Sequence, residues 1–183
     1  MKIQTAGFFA LVFLATVTAQ AGISEFGLGL SSVVPMGNNY QLLNSPLGYQ
    51  GEVWIDGLPW IGRYALLRLS LFDDPFVVRS SLTNMNVNLF GGFAELQVNG
   101  GKSLLGLKPF ISPGIGLAYD SLGFSSGTSV ENAATAFGLR INSGFDLPIW
   151  GGLGALVEFP VSVFFFKTTL ATWSPTFSLR WEL

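Results

Sequence analysis

The chain has no cysteine and no histidine among its 183 residues. Without cysteine there is no disulfide, no thiolate nucleophile, no thiolate metal site and no lipid anchored on a thiol. Without histidine the commonest general base and the commonest metal ligand are both missing, so a transition metal would need an all-oxygen site. Charge is scarce as well: Asp, Glu, Lys and Arg make up 11% of residues, against about 25% in an ordinary soluble domain. A formal net charge of −2 offers no basic patch to neutralise phosphates, which argues against nucleic acid as a partner. Long apolar runs are missing too. Beyond the N-terminal segment no stretch reaches the ~18 unbroken apolar residues of a transmembrane helix, although 49% of the chain is hydrophobic. Hydrophobicity without a helical span leaves a large all-β core or a barrel in lipid.

What is present begins with an export signal. Met1-Lys2 is a short positive start, Ala6 to Val17 is apolar, and Ala19-Gln20-Ala21 reads as a small-residue cleavage site. Residues 1–21 are therefore expected to be a cleaved signal peptide and residues 22–183 one mature domain.

The clearest pattern lies at the other end. In Thr176–Leu183 the residues Phe177, Leu179, Trp181 and Leu183 alternate with Thr176, Ser178, Arg180 and Glu182. A strand with that period has one apolar and one polar face. The same alternation predicts seven earlier strands: 22–31, 49–56, 63–72, 82–98, 108–120, 134–147 and 151–163. In the fourth, Met85, Val87 and Leu89 take the apolar side opposite Asn84, Asn86 and Asn88, and Gly91-Gly92 suggests a bulge. Short turns at 57–60, 99–106 and 148–150 alternate with longer loops at 32–48, 73–81, 121–132 and 164–173. Strands of roughly ten residues suit a tilted crossing of a bilayer, and the short–long rhythm suits tight inner turns with longer outer loops. The expected fold is all-β: an eight-stranded antiparallel up-and-down transmembrane β-barrel. Tyr49, Trp60, Tyr119, Trp150 and Trp173 fall near strand ends, where two aromatic girdles would lie. The alternative is a soluble exported β-sandwich or lipocalin-like binder, with rows such as Leu67-Leu69-Leu71 and Val157-Phe159-Val161 forming a core.

Three stretches resemble the small bacterial outer-membrane β-barrels of the OmpA/OmpX type. Lys108-Pro-Phe-Ile-Ser-Pro-Gly-Ile-Gly-Leu-Ala-Tyr119 is similar to a Gly-alternating strand of those proteins, and Phe137-Gly-Leu-Arg-Ile-Asn-Ser-Gly144 to the strand after it. The C-terminal Phe177, Leu179, Trp181 and Leu183 resemble their insertion signal, with Leu183 where Phe is usual. The resemblance implies an outer membrane of the Gram-negative type, contact with its lipids and with the barrel-insertion machinery, and in some members a further envelope protein as partner. It spans a family of adhesins, lipid-modifying enzymes and hydrophobe carriers, so it implies an architecture and no activity.

Six charges fall on the polar side: Glu25, Glu52, Arg68, Arg140, Glu158 and Arg180. Three acids meet three bases. Matched by distance from the strand ends, the expected pairs are Glu25–Arg180, Glu52–Arg68 and Arg140–Glu158. An eight-stranded barrel is just wide enough inside for side chains, and a lone ion there costs several kcal/mol of desolvation. An ion-pair network that plugs the lumen is the expectation.

Chemistry is hard to find. The enzymes that the resemblance brings in depend on a histidine, and none is present. Asp73-Asp74 before Pro75 reads as a turn in preference to a calcium loop. No catalytic, metal or cofactor residue is expected, and a structural or interaction role leads, ahead of a carrier for small hydrophobic molecules. For the carrier, Pro113 and Pro160 would loosen the wall, since proline cannot donate to a ladder.

Overall fold

The computed structural model describes residues 22–36, 43–44, 47–56, 65–79, 84–100, 106–124, 134–167 and 169–183. The expected signal peptide and Trp60 lie outside the described residues.

Twelve strand segments run β1 Ile23–Ser32, β2 Val34–Met36, β3 Leu43–Asn44, β4 Leu47–Ile55, β5 Ala65–Arg79, β6 Asn84–Asn99, β7 Lys108–Phe124, β8 Ala134–Trp150, β9 Leu153–Glu158, β10 Val161–Phe165, β11 Thr169–Trp173 and β12 Thr176–Glu182. Three pairs of segments continue one another, β1 with β2, β9 with β10, and β11 with β12, and the two-residue β3 shares with β4 the place beside β5. The wall therefore has eight staves, every neighbouring pair antiparallel. β12 pairs with β1 on one side and β9 on the other, and β9 with β8, so the sheet closes on itself. The chain forms a closed eight-stranded up-and-down barrel. A sandwich of two sheets is thereby ruled out.

Two of the three breaks have a proline. Pro160 parts β9 from β10, and Pro175 parts β11 from β12. The register is the same on both sides of each break, because only the donor is lost and no residue is inserted. Ser174 N–H still donates to the Pro160 carbonyl at 2.9 Å. The return bond has no N–H to make it, and the Ser174 carbonyl instead accepts the Thr176 hydroxyl at 2.7 Å. At Pro113 the β6–β7 pairing omits Leu96 and Gln97, again without a change of register.

Several expected loops are strand. β5 runs on through Asp73-Asp74-Pro75 to Arg79, β7 reaches Phe124, and β11 starts at Thr169. Val34–Met36 extends the first stave inside the expected 32–48 loop, and Leu43–Asn44 pairs with β5. Strand β8 includes residues 148–150, and the turn there is made by Gly151 and Gly152, both at positive φ (57° and 83°). The predicted bulge at Gly91-Gly92 is absent: β6 keeps one register with β5 and β7 across it. The glycines answer a different need. A Cβ on Gly91 would lie 2.5 Å from the Leu117 carbonyl oxygen and 2.7 Å from the Phe72 ring.

The outside is apolar. Leu28, Leu71, Ile115, Leu117, Ile141 and Phe177 are all more than half exposed. The buried inside is divided along its length. One end holds Val33, Phe72, Phe76, Leu89, Phe93, Ala118, Ala136 and Phe164; nearer the chain termini Trp54, Phe110 and Leu156 pack together.

Candidate functional site: the charged layer inside the barrel

Between those two apolar layers sits a belt of charge. Alternation sends Arg68 on β5, Glu52 on β4, Glu95 on β6, Glu158 on β9 and Arg140 on β8 into the lumen, where each is at most 3% exposed. Arg68 is the hub. Its Nη1 donates to Glu158 Oε1 at 2.5 Å and its Nη2 to Glu158 Oε2 at 2.8 Å, a two-pronged contact, while Nη2 also bonds Glu52. Two parallel N–H···O bonds are the strongest arrangement open to a guanidinium. The β5 and β9 staves lie four apart in a ring of eight, so this pair spans the lumen.

Arg140 does not reach Glu158. Its Nη1 lies 3.6 Å from Glu95 Oε1, and its Nε donates to Ser162 Oγ at 2.9 Å. Its guanidinium carbon stands 3.9 Å from the Phe93 ring centre and 5.1 Å from that of Phe72. Glu95 also accepts from Ser70 Oγ at 3.0 Å, and Arg68 Nη1 is 4.0 Å away. Glu158 takes a further bond from Asn142 Nδ2 at 2.8 Å, and Gln50 donates to Glu52. Nearer the chain termini Arg180 pairs with Glu25 and, at 3.1 Å, with Asp146.

Of the three pairs expected, the structure brings together Glu25 with Arg180 and Glu52 with Arg68. The Arg140–Glu158 pair is replaced by Arg140–Glu95 and Arg68–Glu158. The expected balance of charges also changes. Glu95, Asp74 and Asp146 join the inward acids, so among the described residues acids outnumber arginines inside. Asp74, reached through strand where a loop was expected, accepts from Ser31 Oγ at 3.1 Å. Leu89 was expected on the apolar outer face with Asn88 opposite; Leu89 is 1% exposed and inward, and Asn88 is outside. The missed signal for Glu95 was local. Phe93, Glu95 and Gln97 alternate with Ala94, Leu96 and Val98, which fixes the face without reference to anything before Gly92.

Aromatic layers bracket the charges. On one side Phe72, Phe93 and Phe164 meet with ring centres 5.7–5.9 Å apart. On the other the Trp54 indole N–H donates to Gln97 Oε1 at 2.8 Å, with Arg68 5.3 Å above its ring. Inward glycines make room for this filling: a Cβ on Gly138 would meet Phe164 at 3.0 Å, and one on Gly116 would meet Phe93 at 2.6 Å.

The other singled-out residues that are described lie on the outer surface. Phe177 and Leu183 are exposed, Leu179 and Trp181 half-buried, and Trp181 stacks on Phe26 at 5.1 Å. Tyr49 and Tyr119 share one cross-strand row, Tyr49–Asp73–Phe90–Tyr119. Trp150 projects at the Gly151-Gly152 turn, 85% exposed, and Trp173 ends β11. Among the described residues no cluster of acidic side chains has the arrangement of a metal site.

Comparison with solved structures finds small outer-membrane barrels. The neisserial surface protein A superposes with a TM-score of 0.62 at 10% identity, covering 89% of this chain and 99% of that one. Ail, the attachment invasion locus protein of Yersinia pestis, gives 0.55 at 11% identity over 87% and 99%. No protein-family model matches, and no curated protein matches. At such identities the likeness is one of fold.

Proposed function

We propose that this chain is an integral outer-membrane β-barrel with a structural or interaction role, its wall held by envelope lipid and its lumen plugged by ion pairs. One observation carries the reading: the molecule is inside-out. Leu28 is 62% exposed and Leu71 61%, while Arg68, Glu95 and Glu158 are 0% exposed. In water that arrangement would leave a wide apolar surface wet and charges dry, both at a cost. In lipid the apolar wall is solvated and a closed barrel leaves no backbone group unpaired at a sheet edge. The fold shared with outer-membrane barrels supports the same compartment, as does the N-terminal Ala19-Gln20-Ala21 pattern, which would be cleaved on export. Phe177, Leu179, Trp181 and Leu183 would be read by the insertion machinery.

The chain is proposed to be non-catalytic. The buried carboxylates face arginines, amides and hydroxyls, and the two hydroxyls that meet one, Ser31 on Asp74 and Ser70 on Glu95, are themselves buried in the packed lumen, out of a substrate's reach. A carrier would need a passage. The prolines that favoured one leave a wall whose register is unbroken, and the carbonyl opposite Pro160 is capped by Thr176.

A gel of the membrane extract, unboiled and boiled, tests the embedding: a folded barrel should run faster before boiling. A planar bilayer tests the plug. Reconstituted protein should pass no steady ionic current; a stable conductance with folded protein would refute the sealed lumen, and failure to float with vesicles would refute the membrane reading.

A further inference from the structure

The charges of the lumenal belt do not balance. Arg68 and Arg140 supply two positive charges, while Glu52, Glu95 and Glu158 supply three negative ones, all five buried. Among the described residues no further cation faces them. Away from the chain termini the belt meets Asp74, another acid. Toward the termini Arg180 is engaged by Glu25 and Asp146. The remaining staves face the belt with Gly27, Ser112, Ser162, Thr172 and Ser178, none of them ionisable. A bare negative charge sealed between aromatic layers is too costly to persist, so the belt has to take up a cation.

The contacts locate it. Glu158 is held by both terminal nitrogens of Arg68, at 2.5 and 2.8 Å, and by Asn142 at 2.8 Å. Glu95 stands between two guanidiniums, Arg140 at 3.6 Å from Oε1 and Arg68 at 4.0 Å from Oε2, and touches no other acid. Glu52 has one guanidinium and shares it. Arg68 Nη2 and the Gln50 amide both donate to Glu52 Oε1, and the buried Oε2 has no partner. The same Nη2 serves Glu158, and the two carboxyl groups stand within hydrogen-bonding reach of each other. Two carboxylates that close repel, and one proton between them turns the repulsion into a hydrogen bond.

We infer that the belt is a binding site for a single proton, carried by Glu52 and directed at Glu158. The layer is then neutral: two arginines, two carboxylates and one carboxylic acid. This deepens the sealed-lumen reading above, because a water-filled lumen would screen the third carboxylate and need no proton.

Infrared spectroscopy of the protein refolded in detergent at neutral pH tests it, since the carbonyl stretch of a neutral carboxyl lies apart from the bands of a carboxylate. Wild type should show a neutral-carboxyl component that Glu52→Gln removes. Glu158→Gln should remove it as well, because two acids then face two arginines and Glu52 ionises. Glutamine has the shape and charge of the neutral acid, so Glu52→Gln should move the urea midpoint by less than about 0.5 M. The faster migration of unboiled protein checks that each variant is folded. A component that survives either change in folded protein overturns the proposal. So does a larger fall in the Glu52→Gln midpoint, or failure of that variant to fold, since either would mean that a carboxylate was lost. A missing component, with a midpoint that rises with sodium at constant ionic strength, would overturn the proton in favour of a metal cation. A missing component with no current across a bilayer refutes the proton alone; with a steady current it refutes the sealed lumen too.

Discussion

Replacing Arg68 with Leu should be among the most damaging changes available to this barrel. Arg68 is fully buried and bonds Glu158 through both of its terminal nitrogens and Glu52 through one. Leucine removes the only arginine within salt-bridge distance of Glu52 or Glu158 among the described residues. Glu158 keeps Asn142 and Glu52 keeps Gln50, which supply hydrogen bonds but no charge. Removing one partner of a buried pair costs about 3–5 kcal/mol. With a urea slope near 2 kcal/mol/M, the unfolding midpoint should fall by about 2 M. Tryptophan emission of protein refolded in detergent reports it, since Trp54 sits 5.3 Å from Arg68. A companion separates stranded charge from lost volume. Arg68→Leu combined with Glu52→Gln and Glu158→Gln has no carboxylate left bare there, and should recover about half of the loss or more. An Arg68→Leu midpoint equal to wild type would refute the network as a source of stability. A triple variant no better than the single would show that packing, and not charge, was lost.

Three further outcomes follow from the same geometry. Arg140→Leu should cost less than Arg68→Leu, because Glu95 keeps Ser70 Oγ at 3.0 Å and Arg68 at 4.0 Å; urea midpoints in the reverse order would contradict the assigned pairs. Gly116→Ala should destabilise by about 1–3 kcal/mol, since the new Cβ would fall 2.2 Å from the Gly92 carbonyl oxygen, whereas Gly51→Ala should be neutral or stabilising by up to about 1 kcal/mol; thermal loss of the fast-migrating gel form compares the two. Thr176→Val keeps the shape but bares the Ser174 carbonyl, and should lower stability by about 1–3 kcal/mol, measured by the same urea titration.

Much of the wall could be read from the sequence, and the reason is local. Alternation is a property of consecutive residues, so Phe26, Leu28 and Leu30 or Phe137, Leu139 and Ile141 declare their face without any knowledge of the rest. Pairs between adjacent staves were nearly as accessible, because matched distances from a turn bring side chains within reach even when the rows differ: Glu52 meets Arg68 diagonally, their row partners being Ser70 and Trp54. The lumen was not. Arg68 reaches Glu158 on the opposite stave, and no rule of neighbouring strands contains that contact. Strand ends were hidden for a related reason: Asp73-Asp74-Pro75 has turn composition, yet fifteen paired rows of β5 with β6 hold it extended. Gly91-Gly92 misled because glycine marks both a bulge and a close approach, and which one applies depends on Phe72 from another strand.

The layered filling also bears on what the barrel can do. Ions alone would leave a narrow lumen wet, since water reaches charges readily and satisfies them. Here Arg140 lies against Phe93 and Phe72 on one side of the belt, and Arg68 over Trp54 on the other. The aromatic layers keep water away from the salt bridges, which strengthens the attraction between them and makes each one more costly to break. Truncating Phe93 to Ala should therefore act twice. It should cost about 3–5 kcal/mol as a cavity, and it should let water down to Arg140 and Glu95, weakening their pairing further. Combining Phe93→Ala with Arg140→Leu separates the two effects. If the phenylalanine shields the ion pair, the double variant should lose less than the sum of the singles, because each change removes part of the same interaction. Strict additivity in urea would mean that the aromatic layer only fills space, and that the charges below it are already solvated.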